Sequence, residues 1–327
     1  VKSGEALVDN KRQGERLRLL ADVAEMYFLE GKNQAEIARE IGVTRSNISR
    51  MLSEARKSGI IQIQINRPIN ESPALAQRLV ECFDLTSARV VDVNQSENLL
   101  AQLGRVAGNE LTTHLKPGWI LGTSWGTAIS ATVENLEVPN PIAGIKVVQL
   151  LGAFDARIKD YDGHAIVRRL EEKLSAEGFY INAPFLVENT EIARSLLTNR
   201  SVSEPLAIGK QADVALLGVG SSDLTHCSYY LADYVTRAEI LDIQKTGAIG
   251  DVCGHFFDIS GAPAARSFQQ RLIGVSTEDL LSIPVRIGVA GGPAKVDPIL
   301  GALRGGLINV LVTNSVTALA VLHKGEA

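Results

Sequence analysis

Six polar side chains fall within seven positions: Thr44, Arg45, Ser46, Asn47, Ser49 and Arg50. Arginine reads guanine by two hydrogen bonds, asparagine does the same for adenine, and hydroxyls serve bases or phosphates. Such a set works only if one helix presents it outward and is held from behind. Ile48, Met51 and Leu52 supply that inner face. Upstream, Ile37, Ala38 and Ile41 share a face by spacings of three and four, the mark of an amphipathic helix. Gly42 can end that helix with positive φ, and Thr44 or Ser46 can cap the next one. Gln34 to Leu52 therefore predicts a helix-turn-helix whose second helix enters the DNA major groove.

A second chemistry lies further along. Gly122-Thr123-Ser124-Trp125-Gly126-Thr127 follows a short apolar stretch and precedes a helical one. Backbone N–H groups at a helix start, joined by hydroxyls, hold an anion, most often a phosphate. Gly218 to Ser222 is another Gly/Ser turn after a strand, and Ala290 to Lys295 ends with a cation at a helix start. Gly247 to Gly261, read as a fourth loop at a strand end, sets Asp251 and Asp258 among His255, Phe256 and Phe257. Carboxylates beside aromatic rings suit sugar hydroxyls together with an apolar face. The candidate ligand residues are Gly122, Thr123, Ser124, Gly126, Thr127, Asp251, Phe256 and Lys295.

The elements that must position these groups divide the chain. Its 327 residues suit two or three domains. Val1 to Gly14 is polar, has no signal-peptide core, and reads as a flexible arm. A helix is expected over Gly14–Glu30, and Ile60 to Ile65 reads as the strand of a wing. Residues 1–67 form a winged helix-turn-helix domain, 68–73 a linker, and 74–327 a larger domain. In the latter, apolar strands alternate with helices, which predicts a mainly parallel, Rossmann-like α/β sheet. Strands are expected at Arg89–Val93, Trp119–Leu121, Ile145–Leu151, Tyr180–Phe185, Asp213–Val219, Val285–Ala290 and Ile308–Val312.

Net charge is −4, yet residues 1–67 carry twelve basic and nine acidic residues. The positive field is therefore local to the helix-turn-helix, and modest enough that tight binding needs a dimer or more. No apolar run approaches the ~18 residues of a membrane span. Three scattered cysteines fit a reducing cytoplasm rather than a disulfide framework. The five histidines lack metal-ligand spacing, so no metal or cofactor is expected. The dinucleotide fingerprint fails because Asp223 stands where its third glycine belongs, and there is no P-loop or Gly-x-Ser-x-Gly elbow.

Taken together, these pieces resemble the SorC/DeoR-like family of sugar-binding bacterial transcriptional regulators. The resemblance rests on Gln34–Ala38, Gly42–Arg45, Ile48–Arg50, Gly122–Gly126, Gly247–Asp251, Phe256–Asp258, Ala290–Gly292 with Lys295, and Ala302–Thr313. It implies a cytoplasmic regulator of a carbohydrate operon, a dimer or tetramer, with a sugar-isomerase-like domain that binds rather than turns over its ligand. It also implies that the Gly122–Thr127 loop holds the phosphate or sugar end and that Asp251 and Lys295 contact the ligand. Asn314 stands where much of the family has aspartate, so it is left out of the site. Gly152 to Gly163, with three aspartates and two basic residues, departs from the family and is a candidate for ligand choice. The alternative is an isomerase-like enzyme fused to a DNA-binding domain. It needs a general base such as Asp251 or Asp258, but no acid–base pair at a recognisable spacing accompanies them.

Overall fold

The computed structural model describes residues 2–61, 69–92, 98–138, 140–153 and 161–326, with the backbone alone for 2–13. It divides into two compact units, Val1–Pro68 and Ile69–Ala327. The expected wing strand falls mainly on residues 62–65, and most of the 152–163 loop on 154–160; both stretches lie outside the described residues.

The first unit packs α1 (Lys2–Phe28), α2 (Gln34–Ile41) and α3 (Arg45–Lys57) around Leu20, Val23, Ile37, Ile48, Met51 and Ala55. Asn33 starts α2 with a reciprocal capping box through Glu36. Gly42 ends it at φ 76°, and its N–H donates to the Ala38 carbonyl. A left-handed residue here costs glycine nothing and strains other residues. Thr44 then caps α3, its Oγ1 accepting from Asn47 N at 3.2 Å. The expected arm is corrected: α1 already begins at Lys2. Glu5, Ala6, Leu7, Lys11 and Arg12 are good helix formers, and polarity alone does not make a segment flexible.

In the second unit, α4 (Pro73–Phe83), β1 (Ser87–Val91), α5 (Leu99–His114), β2 (Ile120–Thr123) and α6 (Thr127–Glu134) come first. They are followed by β3 (Lys146–Gln149), α7 (Gly163–Leu174), β4 (Glu177–Phe179), α8 (Thr190–Thr198), α9 (Arg200–Gly209) and β5 (Val214–Ser221). Next are α10 (Ser228–Leu231), α11 (Arg237–Lys245), β6 (Gly250–Val252), β7 (His255–Phe257), α12 (Arg266–Gln269) and α13 (Thr277–Ser282). The chain closes with β8 (Val285–Val289), α14 (Val296–Arg304), β9 (Val310–Asn314) and α15 (Ser315–Gly325).

The strand order is β1-β9-β8-β5-β2-β3-β4, every pair parallel. Helices on both faces explain why β5 and β9 read as almost unbroken apolar runs. Because β8, β5 and β2 are neighbours, the loops at their carboxyl ends leave the sheet on one edge, where open α/β sheets bind ligands. Two expectations change. Tyr180–Phe185 is not a strand: pairing with β3 stops at Phe179, and only Pro184 makes an isolated bridge, to Ala153. The Gly247–Gly261 stretch is not an open loop but holds the β6–β7 hairpin, antiparallel to the end of β5. Residues 70–72, in the expected linker, run antiparallel along β1: Ser72 N donates to Val90 O, and Arg89 grips Glu71 through two 2.6 Å bonds.

Candidate functional site

The recognition face is built on α3. Thr44, Arg45, Ser46, Asn47, Ser49 and Arg50 are all exposed, while Ile48 between them is fully buried. Burial of Ile48, Met51 and Leu52 therefore fixes which way the polar residues point. Elsewhere in the unit two cations are committed: Arg16 pairs with Glu54, and Lys32 with Glu30 and Glu40. Arg45 and Arg50 carry no ion pair among the described residues. Positive charge that no acid neutralises, on an exposed helix, is what phosphate and guanine contacts require.

The second site is a cavity of about 130 Å³ at the carboxyl ends of β2, β5 and β8. Ser124, Gly126 and Thr127 enter it from the first loop, Gly218 to Gly220 from the second, and Ala290, Gly291 and Lys295 from the third. Asp251 reaches it from β6. Register explains its arrival: Asp251 pairs with Gly220 across the hairpin junction. A Cβ on residue 220 would fall 1.8 Å from its Oδ1, so only glycine lets the carboxylate in.

Asp251 is buried and held firmly. Tyr229 Oη donates to its Oδ2 at 2.5 Å, and Gly254 N donates to the same oxygen at 3.1 Å. Burial raises its pKa, offset by the Tyr229 bond and the field of Lys295. Burial likewise lowers the Lys295 pKa, offset by Asp251. The Lys295 ammonium donates to Val219 O at 2.8 Å, and no direct salt bridge joins it to Asp251. Two more features favour a polar guest. No side chain caps α6, whose N-terminal N–H groups open on the cavity. The third loop is braced from behind, Gly292 N donating to Asn314 Oδ1 and Thr317 Oγ1.

Of the expected ligand residues, the structure brings together Ser124, Gly126, Thr127, Asp251 and Lys295. Gly122, Thr123 and Phe256 do not line the cavity. A Cβ at Gly122 would strike the Leu150 side chain at 2.7 Å, so this glycine serves strand packing. Thr123 turns its hydroxyl inward to the Ser124 carbonyl. Phe256 packs on Tyr229 and Phe268, with Tyr229 taking the cavity-facing place. Tyr229 itself, with Ser228 and Cys253, was missed. No periodicity or motif marks Ser228 and Tyr229, which arrive on the four-residue α10.

Comparison with known proteins adds independent findings. Residues 67–323 match the Sugar-bind family of sugar-binding domains, and residues 21–58 match region 4 of sigma-70. The sorbitol operon regulator of Klebsiella pneumoniae is 32% identical over 305 residues, spanning 92% of this chain and 96% of that protein. The deoxyribonucleoside regulator of Bacillus subtilis is 31% identical over 317 residues, spanning 94% and 98%. The crystal structure of the full-length Klebsiella regulator superposes with a TM-score of 0.70, covering 94% of this chain and 99% of that one.

Proposed function

Because the chain belongs to the SorC family of sugar-binding transcriptional regulators, we propose that its cavity takes the phosphorylated end of a small sugar or polyol. It is a DNA-binding regulator under carbohydrate control, not an enzyme. In this reading Lys295 and the α6 N-terminus hold the phosphate, and Asp251 accepts from hydroxyls. The carrying observation is that a half-buried ammonium and an uncapped helix start share one cavity, since both favour negative charge. Thr44 to Arg50 read the operator of a carbohydrate-utilisation operon. Its modest positive field needs reinforcement, so the working form is a homodimer or homotetramer in the cytoplasm. A second reading is an uncharged sugar or polyol, favoured by Asp251 offsetting the one cavity ammonium.

Calorimetric titration of free and phosphorylated sugars and polyols into the full-length protein tests this. A phosphorylated compound binding at least about tenfold more tightly than its free form supports the phosphate reading, tenfold being about 1.4 kcal/mol. Equal affinity transfers the site to the neutral reading. No binding by any compound overturns the cavity assignment.

A further inference from the structure

Around Gly163, next to the cavity's indole wall, three buried polar atoms have no hydrogen-bond partner: Nε2 of Gln149, Oδ1 of Asp162 and Nε2 of His164. Gln149 is the last residue of β3 and only 1% exposed. Its Oε1 accepts from Ile181 N at 2.7 Å. That bond fixes the orientation of the amide and leaves the NH₂ as the unpaired end. The NH₂ is aimed at the start of α7, for a Cβ on residue 163 would fall 2.2 Å from Gln149 Nε2. Glycine there makes room for the amide itself. The N-cap residue of α7, Asp162, makes no side-chain capping bond, so first-turn N–H groups of that helix have no side-chain acceptor from it.

This place adjoins the effector cavity. Trp125 Cδ1 lies 3.4 Å from the same Cβ position, and Trp125 lines the cavity. Gly126 N donates to Tyr161 O, tying the cavity loop to the segment that enters α7. The cavity alone, at about 130 Å³, is small for its task, since ligand pockets ordinarily run from roughly 300 Å³. The unpaired groups also state their chemistry. The amide and the helix start donate, whereas Asp162 Oδ1 accepts. Unpaired donors together with an unpaired carboxylate acceptor suit a hydroxyl, which both donates and accepts, better than an anion. Buried polar atoms without partners are costly and mark a missing partner.

We propose that Gln149, Asp162 and the first turn of α7 form a hydroxyl-binding subsite, divided from the anionic end of the cavity by Trp125, that holds the far end of the effector chain. The subsite rests on the reading of the cavity as a sugar or polyol site, and it sets which chain lengths bind. Gln149→Glu tests it in the full-length protein. The variant keeps the acceptor for Ile181 and replaces only the unpaired NH₂. The α7 helix start favours a carboxylate while Asp162 and burial oppose it, so the melting curve of this variant is recorded before any titration. Asp162→Asn is the second variant, and melting curves confirm both.

The probes are glycerol 3-phosphate, ribitol 5-phosphate, glucitol 6-phosphate and the two free polyols, titrated calorimetrically. Both variants are expected to weaken the longest probe that the wild type binds by about tenfold, the worth of one or two hydrogen bonds, while leaving glycerol 3-phosphate unchanged. Unchanged affinity for every probe, or equal weakening of short and long ones, overturns the subsite and leaves the three atoms to a buried water. Lys295→Ala, run alongside, reports on the underlying reading: it weakens all phosphorylated probes whatever Gln149 does. If it weakens none, the phosphate assignment fails while the free polyols still test the subsite. A wild type that binds no probe overturns both.

Discussion

The recognition face and the effector cavity are built by opposite strategies. On α3 the functional groups sit within seven consecutive positions, exposed, and a single buried stripe decides their direction. In the cavity they come from separate loops between Ser124 and Lys295, and the two charged groups, buried Asp251 and half-buried Lys295, are held by hydrogen bonds. A surface that reads a polymer can be local, because the polymer brings its own length. A cavity that reads a small molecule has to be assembled from a sheet edge, where parallel topology gathers distant loops. Mutations should therefore behave differently in the two regions: surface changes alter affinity alone, and cavity changes alter affinity together with local order.

The largest expected effect breaks the comparison from behind. Ile48→Ala removes a fully buried side chain from the small first unit and should cost ~2–5 kcal/mol of its stability. DNA binding should collapse while effector titration on the same sample is unchanged. Loss of both would show that the two units do not fold independently.

Next in size is Lys295→Ala. The ammonium is half-buried and a bound ligand would enclose it further; truncating one partner of such a hydrogen-bonded charge pair costs ~2–5 kcal/mol of binding, so a phosphorylated effector should be strongly weakened and a neutral one little affected. Arg45→Ala should cost ~1–3 kcal/mol on the preferred operator and relax specificity at one base pair. Equal weakening on operator and random DNA in an anisotropy titration would mean that Arg45 touches only phosphate.

That contrast also explains what was legible in the sequence. The helix-turn-helix was readable because its determinants lie within one or two turns of each other: Ile37, Ala38 and Ile41, then Gly42, Thr44 and Ile48. Spacing alone carries that information. The sheet was readable where strands are apolar throughout, as in Val214–Val219, and misread at Tyr180–Phe185, where composition resembles a strand but β3 offers no further pairing. The cavity was half readable. Ser124, Gly126, Thr127 and Lys295 stand in Gly-rich loops next to helix starts, a local signal. Phe256 was misplaced because adjacency to Asp251 in sequence does not say which ring faces the ligand; Tyr229 takes that place from α10. Gln149 was invisible, since an unpaired amide exists only once α7 packs beside it.

The smallest effect sharpens the comparison through pH. None of the five histidines lies in residues 1–67, whereas His255 is buried in the second unit. Its Nε2 meets Val275 O at 2.9 Å and its Nδ1 meets Thr277 Oγ1 at 3.1 Å. Burial lowers its pKa below the ordinary 6.5. The unfolded chain thus binds a proton that the fold refuses, so this contribution is fully present above the unfolded value and is lost as pH falls towards the folded one. As pH falls below about 6.5 the second unit should therefore lose stability. Melting curves of His255→Gln should be flatter across that range, and identical slopes would remove His255 as the cause.

The central claim is that a carbohydrate in the cavity controls DNA binding by the recognition face. Reciprocal titration addresses it most directly: operator affinity with and without saturating effector, and effector affinity with and without saturating operator. Linkage predicts the same factor in both directions, with a typical coupling of ~1–3 kcal/mol. An effector that binds the cavity tightly yet leaves operator affinity unchanged, with operator equally silent on the effector, would contradict the claim.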